Sequence, residues 1–426
     1  MEAAAEPLLE EGNSEKGKSS FLDELNKVIC IAMPMVVVSV SQYMLRAVSM
    51  MMLGHLGELA LSSAALAISL SNVTGFILLI GMASSLETLC GQAYGAGRYE
   101  RVGILTYGSI IWLSLACFPV CILWFFTGEL LLWTGQDPLI SKAAGNFSVW
   151  LIPSLFPYAI LQSLIRYLQV QSLIAPMVIT SLASLCIHVP VSWALVFKLD
   201  LGGVGAALSI GISYWLNVIM LLLYIKFSTS CDKTRTAFSV DAFRTFREFF
   251  KFAIPSAFMG WTFELVILLS GMLPNPQLET SVLSICSTIN TLHFLVSNSI
   301  AAGASTRASN AIGSGNHEAV RRVLWAVLLL AVVELLAAVA ALSFCRDILG
   351  YAFSDEAAVV SYVKDMIPFL CFTIATDGLQ SEWFEAGGSN GSGRTSTSPR
   401  ITSREFRCRC FRDSSRRRKG RACGAD

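Results

Sequence analysis

Charge is scarce in this sequence: 14% of its 426 residues are Asp, Glu, Lys or Arg, against roughly 25% in a soluble globular domain. A chain so poor in charge cannot keep most of its surface in water. Its 54% hydrophobic content is gathered into repeated apolar runs of about 20 residues, each able to cross a hydrocarbon core of roughly 30 Å. A soluble enzyme, a disulfide-stapled secreted domain and a nucleic-acid binder are thereby disfavoured, and the expected surroundings are a lipid bilayer. Metal-ligand clusters and nucleophile–base pairs are also missing, so no catalytic residue and no cofactor is expected. Nine of the 12 cysteines (30, 90, 117, 121, 186, 231, 286, 345 and 371) are scattered through the apolar body without metal spacing, which reads as buried free thiols. The first 20 residues are polar and acidic and lack a basic stretch followed by an apolar one, so they do not read as a cleavable signal peptide. Gly95-Ala96-Gly97 and Gly313-Ser314-Gly315 are not followed by Lys-Ser/Thr, so they read as turns and not as phosphate-cradling loops.

Ten membrane helices are expected, over 28–53, 59–83, 104–126, 143–162, 173–197, 203–225, 252–272, 278–303, 323–345 and 357–380. Lys and Arg in the N-terminus and the links after even-numbered helices total 15, against two (Lys198 and Arg346) in the opposite links. Positive charge stays on the cytosolic side, so the N-terminus is expected there. The division is a polar cytosolic N-terminus (1–27), a six-helix lobe (28–225), a cytosolic linker (226–251), a four-helix second lobe (252–381) and a basic low-complexity tail (382–426).

The chain repeats itself at an offset of 218. Ser63, Thr88, Gly95, Gly97, Glu100, Val102, Asp137, Leu161 and Gln162 match Ser281, Thr306, Gly313, Gly315, Glu318, Val320, Asp355, Leu379 and Gln380. Ala32-Met33-Pro34 similarly resembles Ala253-Ile254-Pro255, and the two prolines are expected to kink the first helix of each lobe. Equivalent helices lie an even number apart, so the halves share one orientation in the membrane. Transporters use this parallel repeat to place two lobes around a central cleft; a seven-helix ligand-sensing receptor has no such repeat.

Ionisable residues inside apolar helices are costly and mark candidate function. Glu264, in Phe263-Glu264-Leu265-Val266, stands near the middle of the seventh helix and should face a cavity and bind protons; the alternative is a carboxyl held by a neighbouring helix for packing. Asp377 is the second candidate. Glu334 satisfies the same rule, but nothing near it in the sequence is polar. Ser287, Thr288, Asn290, Thr291 and His293 give the eighth helix a polar stripe that could ligate a cation, support a protonated carboxyl or line a substrate cleft; ordinary interhelical hydrogen bonds explain it as well. His293 and His188 read as satisfied interior histidines.

Gly54-His55-Leu56-Gly57-Glu58-Leu59-Ala60, Thr88-Leu89-Cys90-Gly91-Gln92-Ala93-Tyr94-Gly95, Leu273-Pro274-Asn275-Pro276, Leu278-Glu279-Thr280-Ser281-Val282-Leu283-Ser284 and Ala304-Ser305-Thr306-Arg307 resemble the multidrug and toxic compound extrusion (MATE) antiporters. The plant detoxification branch is the closer match, over about residues 22–381. The resemblance implies an all-α, two-lobed bundle of twelve helices that exchanges small organic solutes, including xenobiotics, for protons, with sodium an open alternative. By it, Glu264 and Asp377 fall on the coupling carboxylates of the second lobe. Many prokaryotic members carry a first-lobe Asp where this chain has Ser49. A monomer in the vacuolar or plasma membrane is expected.

Against twelve helices, the second lobe falls two short. The composition changes at about Ser381 to a segment holding 11 of the 31 Lys+Arg and 5 of the 30 Asp+Glu, leaving residues 1–381 with 20 basic and 25 acidic residues. We expect residues 382–426 to be a frameshift product. One permitted codon choice for Arg394–Phe411, read two nucleotides on, encodes an apolar segment of the missing helix type. A truncated family polypeptide that does not transport is the alternative to an antiporter. A lipid-gripping basic tail and plain disorder are the other readings of this segment.

Overall fold

The computed structural model describes residues 21–237, 239–247, 249–254, 276–349, 360–361 and 363–375. Among them the regular structure is helical throughout. The first lobe comprises α1 (Phe21–Gly54), α2 (Glu58–Ser71), α3 (Ile77–Gly95), α4 (Tyr99–Phe125), α5 (Thr127–Trp133), α6 (Pro138–Leu151), α7 (Leu155–Val170), α8 (Ala175–Trp193) and α9 (Gly202–Phe227). A short helix α10 (Asp241–Arg244) lies in the linker, and α11 (Pro276–Gly313), α12 (His317–Leu349) and α13 (363–375) follow. The π-helical turn Asn72–Phe76 joins α2 to α3, and Ile152–Ser154 joins α6 to α7, making continuous spans Leu59–Gly95 and Pro138–Val170. Asp137 starts α6 by accepting from the Leu139 and Ile140 N–H groups at 2.8 and 3.2 Å, with Pro138 in the first turn, satisfying donors the helix itself leaves open.

Seven of the described helical spans are long and apolar enough to cross a bilayer, and they match seven of the ten expected. Expected helix 8 forms as α11, but its Ser, Thr, Asn and His content keeps it out of that apolar set. Expected helix 7 lies mostly outside the described residues, and expected helix 10 is described only as far as residue 375. Several helices outrun their apolar stretches: the second ends at Gly95 and not 83, the fourth at Val170 and not 162, and α11 at Gly313 and not 303. The reason is packing. The extensions carry buried polar residues, Glu87, Ser163, Arg166, Gln169, Ser305 and Thr306, which meet other helices instead of lipid. Two arginines counted as link charges, Arg166 and Arg307, therefore sit within α7 and α11 in ion pairs. α1 runs through Pro34 as one helix.

One continuous apolar core fills the first lobe. At its centre Phe76, Trp124, Tyr158 and Tyr214 pack edge to face or tilted, with ring centroids 4.8–6.3 Å apart. Outside it, Phe118, Ile122, Ile179, Trp193 and Ile219 are exposed, as on a surface facing hydrocarbon. The expected linker is strapped to this lobe: Thr234 bonds Tyr167 and Gln171, each at 2.7 Å, while Thr236 and Thr245 fill space left by Gly103 and Gly108 of α4. Burial pushes the Cys231 thiol in this strap up to about 11.

The sequence repeat is also a repeat of geometry. Gly97 (φ 72°) donates to Tyr94 O at 2.9 Å and Arg98 to Ala93 O at 2.9 Å; 218 residues on, Gly315 (φ 73°) donates to Ile312 O at 3.0 Å and Asn316 to Ala311 O at 2.9 Å. Both glycines take the left-handed conformation that ends a helix with least strain. The contact between α3 and α11 obeys the same offset. A Cβ on Gly95 would strike the Asn310 carbonyl, one on Gly313 would strike the Gln92 carbonyl, and Gly91 faces Ser309, its own repeat mate.

Candidate functional site

The two lobes are fastened at the end where α1 begins. Glu24 of α1 takes Arg307 of α11 through both carboxylate oxygens, at 2.9–3.3 Å, and Lys27 at 3.5 Å. Deeper, Arg166 of α7 pairs with Glu87 of α3 at 2.8 Å, with Arg166 5% and Glu87 3% exposed. Arg166 also donates to Gln169 at 2.9 Å, and Gln169 crosses to the second lobe, donating to Ala302 O at 3.0 Å and Thr306 Oγ1 at 2.9 Å. Asn310 returns a bond to Val170 O at 3.1 Å. A buried ion pair survives only where hydrogen bonds satisfy its remaining groups, and here those bonds tie α3 and α7 to α11.

Beyond this seal a cleft of about 90 Å³ opens between α1, α7 and α9 on one side and α11 on the other. Gln42, Arg46, Gln162 and Arg166 supply much of its polarity from the first lobe, and Asn298 and Ser299 from the second. Gln162 donates to Gln42 at 3.2 Å, and Ser39 meets Ser299 across the lobes at 3.4 Å. Arg46 donates to Asn72 Oδ1 at 2.8 Å and lies over the Phe76 ring, 5.2 Å from its centroid.

Glu264 and Asp377 lie outside the described residues, as do the side chains of Ser287 and Thr288. Asn290 and Thr291 are half-buried on α11, and Asn290 Oδ1 is buried without a partner. The described cleft draws instead on the next turns of the same helix, at Phe294, Leu295, Asn298 and Ser299. Glu334 is not in apolar surroundings, contrary to the sequence reading: His293 Nδ1 lies 2.8 Å from its carboxylate, and Ser297 donates to it at 3.4 Å. The two residues stand 41 positions apart on adjacent helices, and only the α11–α12 packing joins them. His188 is the satisfied interior histidine expected, with Ser49 Oγ at 3.2 Å and Ser213 Oγ at 2.8 Å on its two nitrogens. Ser49, at the first-lobe position where many prokaryotic relatives carry Asp, thus joins a hydroxyl–imidazole network that also reaches Ser209 at 3.4 Å. Arg46 and Arg166 were the residues the sequence reading passed over. The rule that singles out Glu264, an ionisable group inside an apolar run, applies equally to Arg46, whereas Arg166 lies beyond the apolar stretch of its helix.

The MatE family model matches residues 34–194 and 252–401. The chain belongs to the MATE family. Its match to Protein DETOXIFICATION 14 of Arabidopsis thaliana is 46% identical over 400 residues, covering 92% of this chain and 82% of that protein. Protein DETOXIFICATION 9 of the same plant is 48% identical over 359 residues, covering 83% of this chain and 74% of that protein. The crystal structure of the eukaryotic MATE transporter AtDTX14 superposes with a TM-score of 0.84, covering 88% of this chain and 84% of that one. The Vibrio cholerae MATE transporter VcmN superposes with a TM-score of 0.80 at 12% identity, a likeness of fold alone. MATE proteins are membrane transporters and not enzymes, and this chain is a multi-pass member of that family.

Proposed function

We propose that the chain is a proton-coupled antiporter that expels or sequesters organic solutes by alternating access. The observation that carries this reading is the contrast between the two ends of the lobe interface. One end is sealed by the Glu24–Arg307 and Glu87–Arg166–Gln169 contacts, and the polar cleft opens only beyond them. A carrier closed to one side and holding a cleft beyond the closure is in one of the two states that alternating access requires. With the N-terminus in the cytosol, as the fifteen-to-two bias of positive charge in the sequence supports, the sealed end is the cytosolic one. Glu264 and Asp377 are the coupling carboxylates of the second lobe, and Ser287, Thr288, Asn290 and Thr291 are the candidate cation or substrate ligands of its polar stripe. The resident membrane is the vacuolar or plasma membrane, and the working unit is a monomer.

The energy is sufficient, at about 1.4 kcal/mol per pH unit and roughly 2.3 kcal/mol per charge per 100 mV. The test is flux of fluorescent organic solutes in proteoliposomes under an imposed pH gradient. Flux should rise with the gradient, and Glu264→Gln should remove that response while leaving insertion intact. A gradient response unchanged by Glu264→Gln makes that residue structural. An epitope beside Lys233 should be unreachable from outside intact cells.

A second reading is favoured by the arginine-rich composition of residues 382–426: a family chain that inserts but does not transport, its tail the product of a shifted reading frame. The family match runs to residue 401, past the change of composition at Ser381. Sequencing the transcript decides the matter, because the shifted-frame reading needs an apolar open frame there in an alternative register.

A further inference from the structure

Among the described residues Arg46 has no counter-ion. A guanidinium carries five N–H donors, and the described residues take up one hydrogen bond of Arg46, at Asn72, with the Phe76 ring beneath. None of them brings a carboxylate within ion-pair distance of it. An arginine in a membrane helix is expected to be paired or to mark the path of something that pairs with it. Two other donors on the same cleft find no acceptor among the described residues. Arg166 Nε is buried without an acceptor, although the rest of that guanidinium is engaged by Glu87 and Gln169, and the Tyr214 hydroxyl is fully buried without one. Glu87 neutralises Arg166, so the described lining carries one net positive charge and an excess of donors over acceptors.

We propose that this cleft binds an organic anion, an aromatic carboxylate, with Arg46 as its charge partner. A carboxylate is acceptor-only and planar, and matches the guanidinium fork through two parallel hydrogen bonds. Its ring would lie against Tyr158 and Tyr214, which line the same cleft as Arg46. The inference deepens the antiporter reading by dividing the labour: the solute's negative charge is held in the first lobe, and the exchanged proton in the second.

Equilibrium dialysis of the detergent-purified 426-residue chain against radiolabelled p-aminohippurate, with tetraethylammonium in parallel, tests it without any gradient, so a failure of proton coupling does not touch the result. The wild-type chain should bind p-aminohippurate saturably. Arg46→Gln should weaken that binding about tenfold or more, as loss of a charge-assisted bond does, and leave tetraethylammonium binding unchanged. Arg46→Lys, which keeps the charge and loses the fork, should fall between. Should Arg46→Gln elute aggregated, Arg46→Lys and Tyr214→Phe carry the test, the latter expected to weaken p-aminohippurate about threefold. No saturable binding by the wild-type chain, or the same affinity in the Arg46 variants as in wild type, overturns the proposal.

Discussion

Each lobe buries a histidine between helices, and the two lobes treat it differently. In the first, His188 stands between the hydroxyls of Ser49 and Ser213, fully buried. Two hydroxyls satisfy a neutral imidazole, one accepting and one donating, so nothing there requires a charge. In the second, His293 stands against the Glu334 carboxylate at 2.8 Å, with Ser297 beside both. A carboxylate and an imidazole in contact can share or release a proton, which a pair of serines cannot. Histidine burial alone therefore says little about proton handling; the partner decides. The first lobe holds its histidine between hydroxyls and pairs Arg166 with Glu87, whereas the second sets its histidine against a carboxylate.

The comparison breaks most readily at the one place where the first lobe buries a charged pair of its own. Arg166→Met leaves Glu87 enclosed without its cation and should cost about 3–5 kcal/mol, read as a lowered unfolding midpoint in detergent. Adding Glu87→Gln should recover most of the loss, and an unchanged single variant would mean that the pair is hydrated. Next come the repeat-related glycines. Gly95→Val and Gly313→Val each push a side chain onto a carbonyl of the opposite helix and should each cost roughly 1–3 kcal/mol. Markedly unequal losses would show that the lobes do not share this contact equally. A finer contrast separates the histidines. Ser49→Ala should cost about 1 kcal/mol and leave the pH dependence of flux in place, whereas Glu334→Gln should move that dependence with little loss of stability. If both variants keep the wild-type pH profile, the second-lobe pair is structural. The smallest effect concerns the helix cap: Asp137→Ala should cost roughly 0.5–1 kcal/mol. A similar loss on changing its mate Asp355 would extend the repeat beyond the described residues.

Much of the fold was legible because hydropathy and the offset of 218 are properties of the chain itself. Lipid selects apolar runs, and the repeat places their counterparts. What hydropathy could not mark was where helices continue after leaving lipid, as at Glu87, Arg166 and Thr306, since a helix sheltered by other helices no longer needs apolar residues. The π-helical turns at Asn72–Phe76 and Ala194–Lys198 left no sequence signal that we recognised. The candidate site was legible only as residue types. Glu334 looked isolated because its partner sits on the neighbouring helix, and Arg46 drew no notice as a helix residue because the absence of a carboxylate beside it among the described residues is a fact of three dimensions.

The contact of Gly91 with Ser309 sets a limit on symmetry. These residues stand at equivalent positions of the repeat, and they meet each other, so the axis relating the halves passes between them. In a dimer of two identical half-length chains, whatever occupied this spot would have faced itself. Serine on both sides would force two Cβ atoms into contact closer than real side chains allow, so such a dimer could have held only glycine there. With both halves in one chain the two positions can differ, and the close approach of α3 and α11 rests on that difference, glycine on one helix and serine on the other.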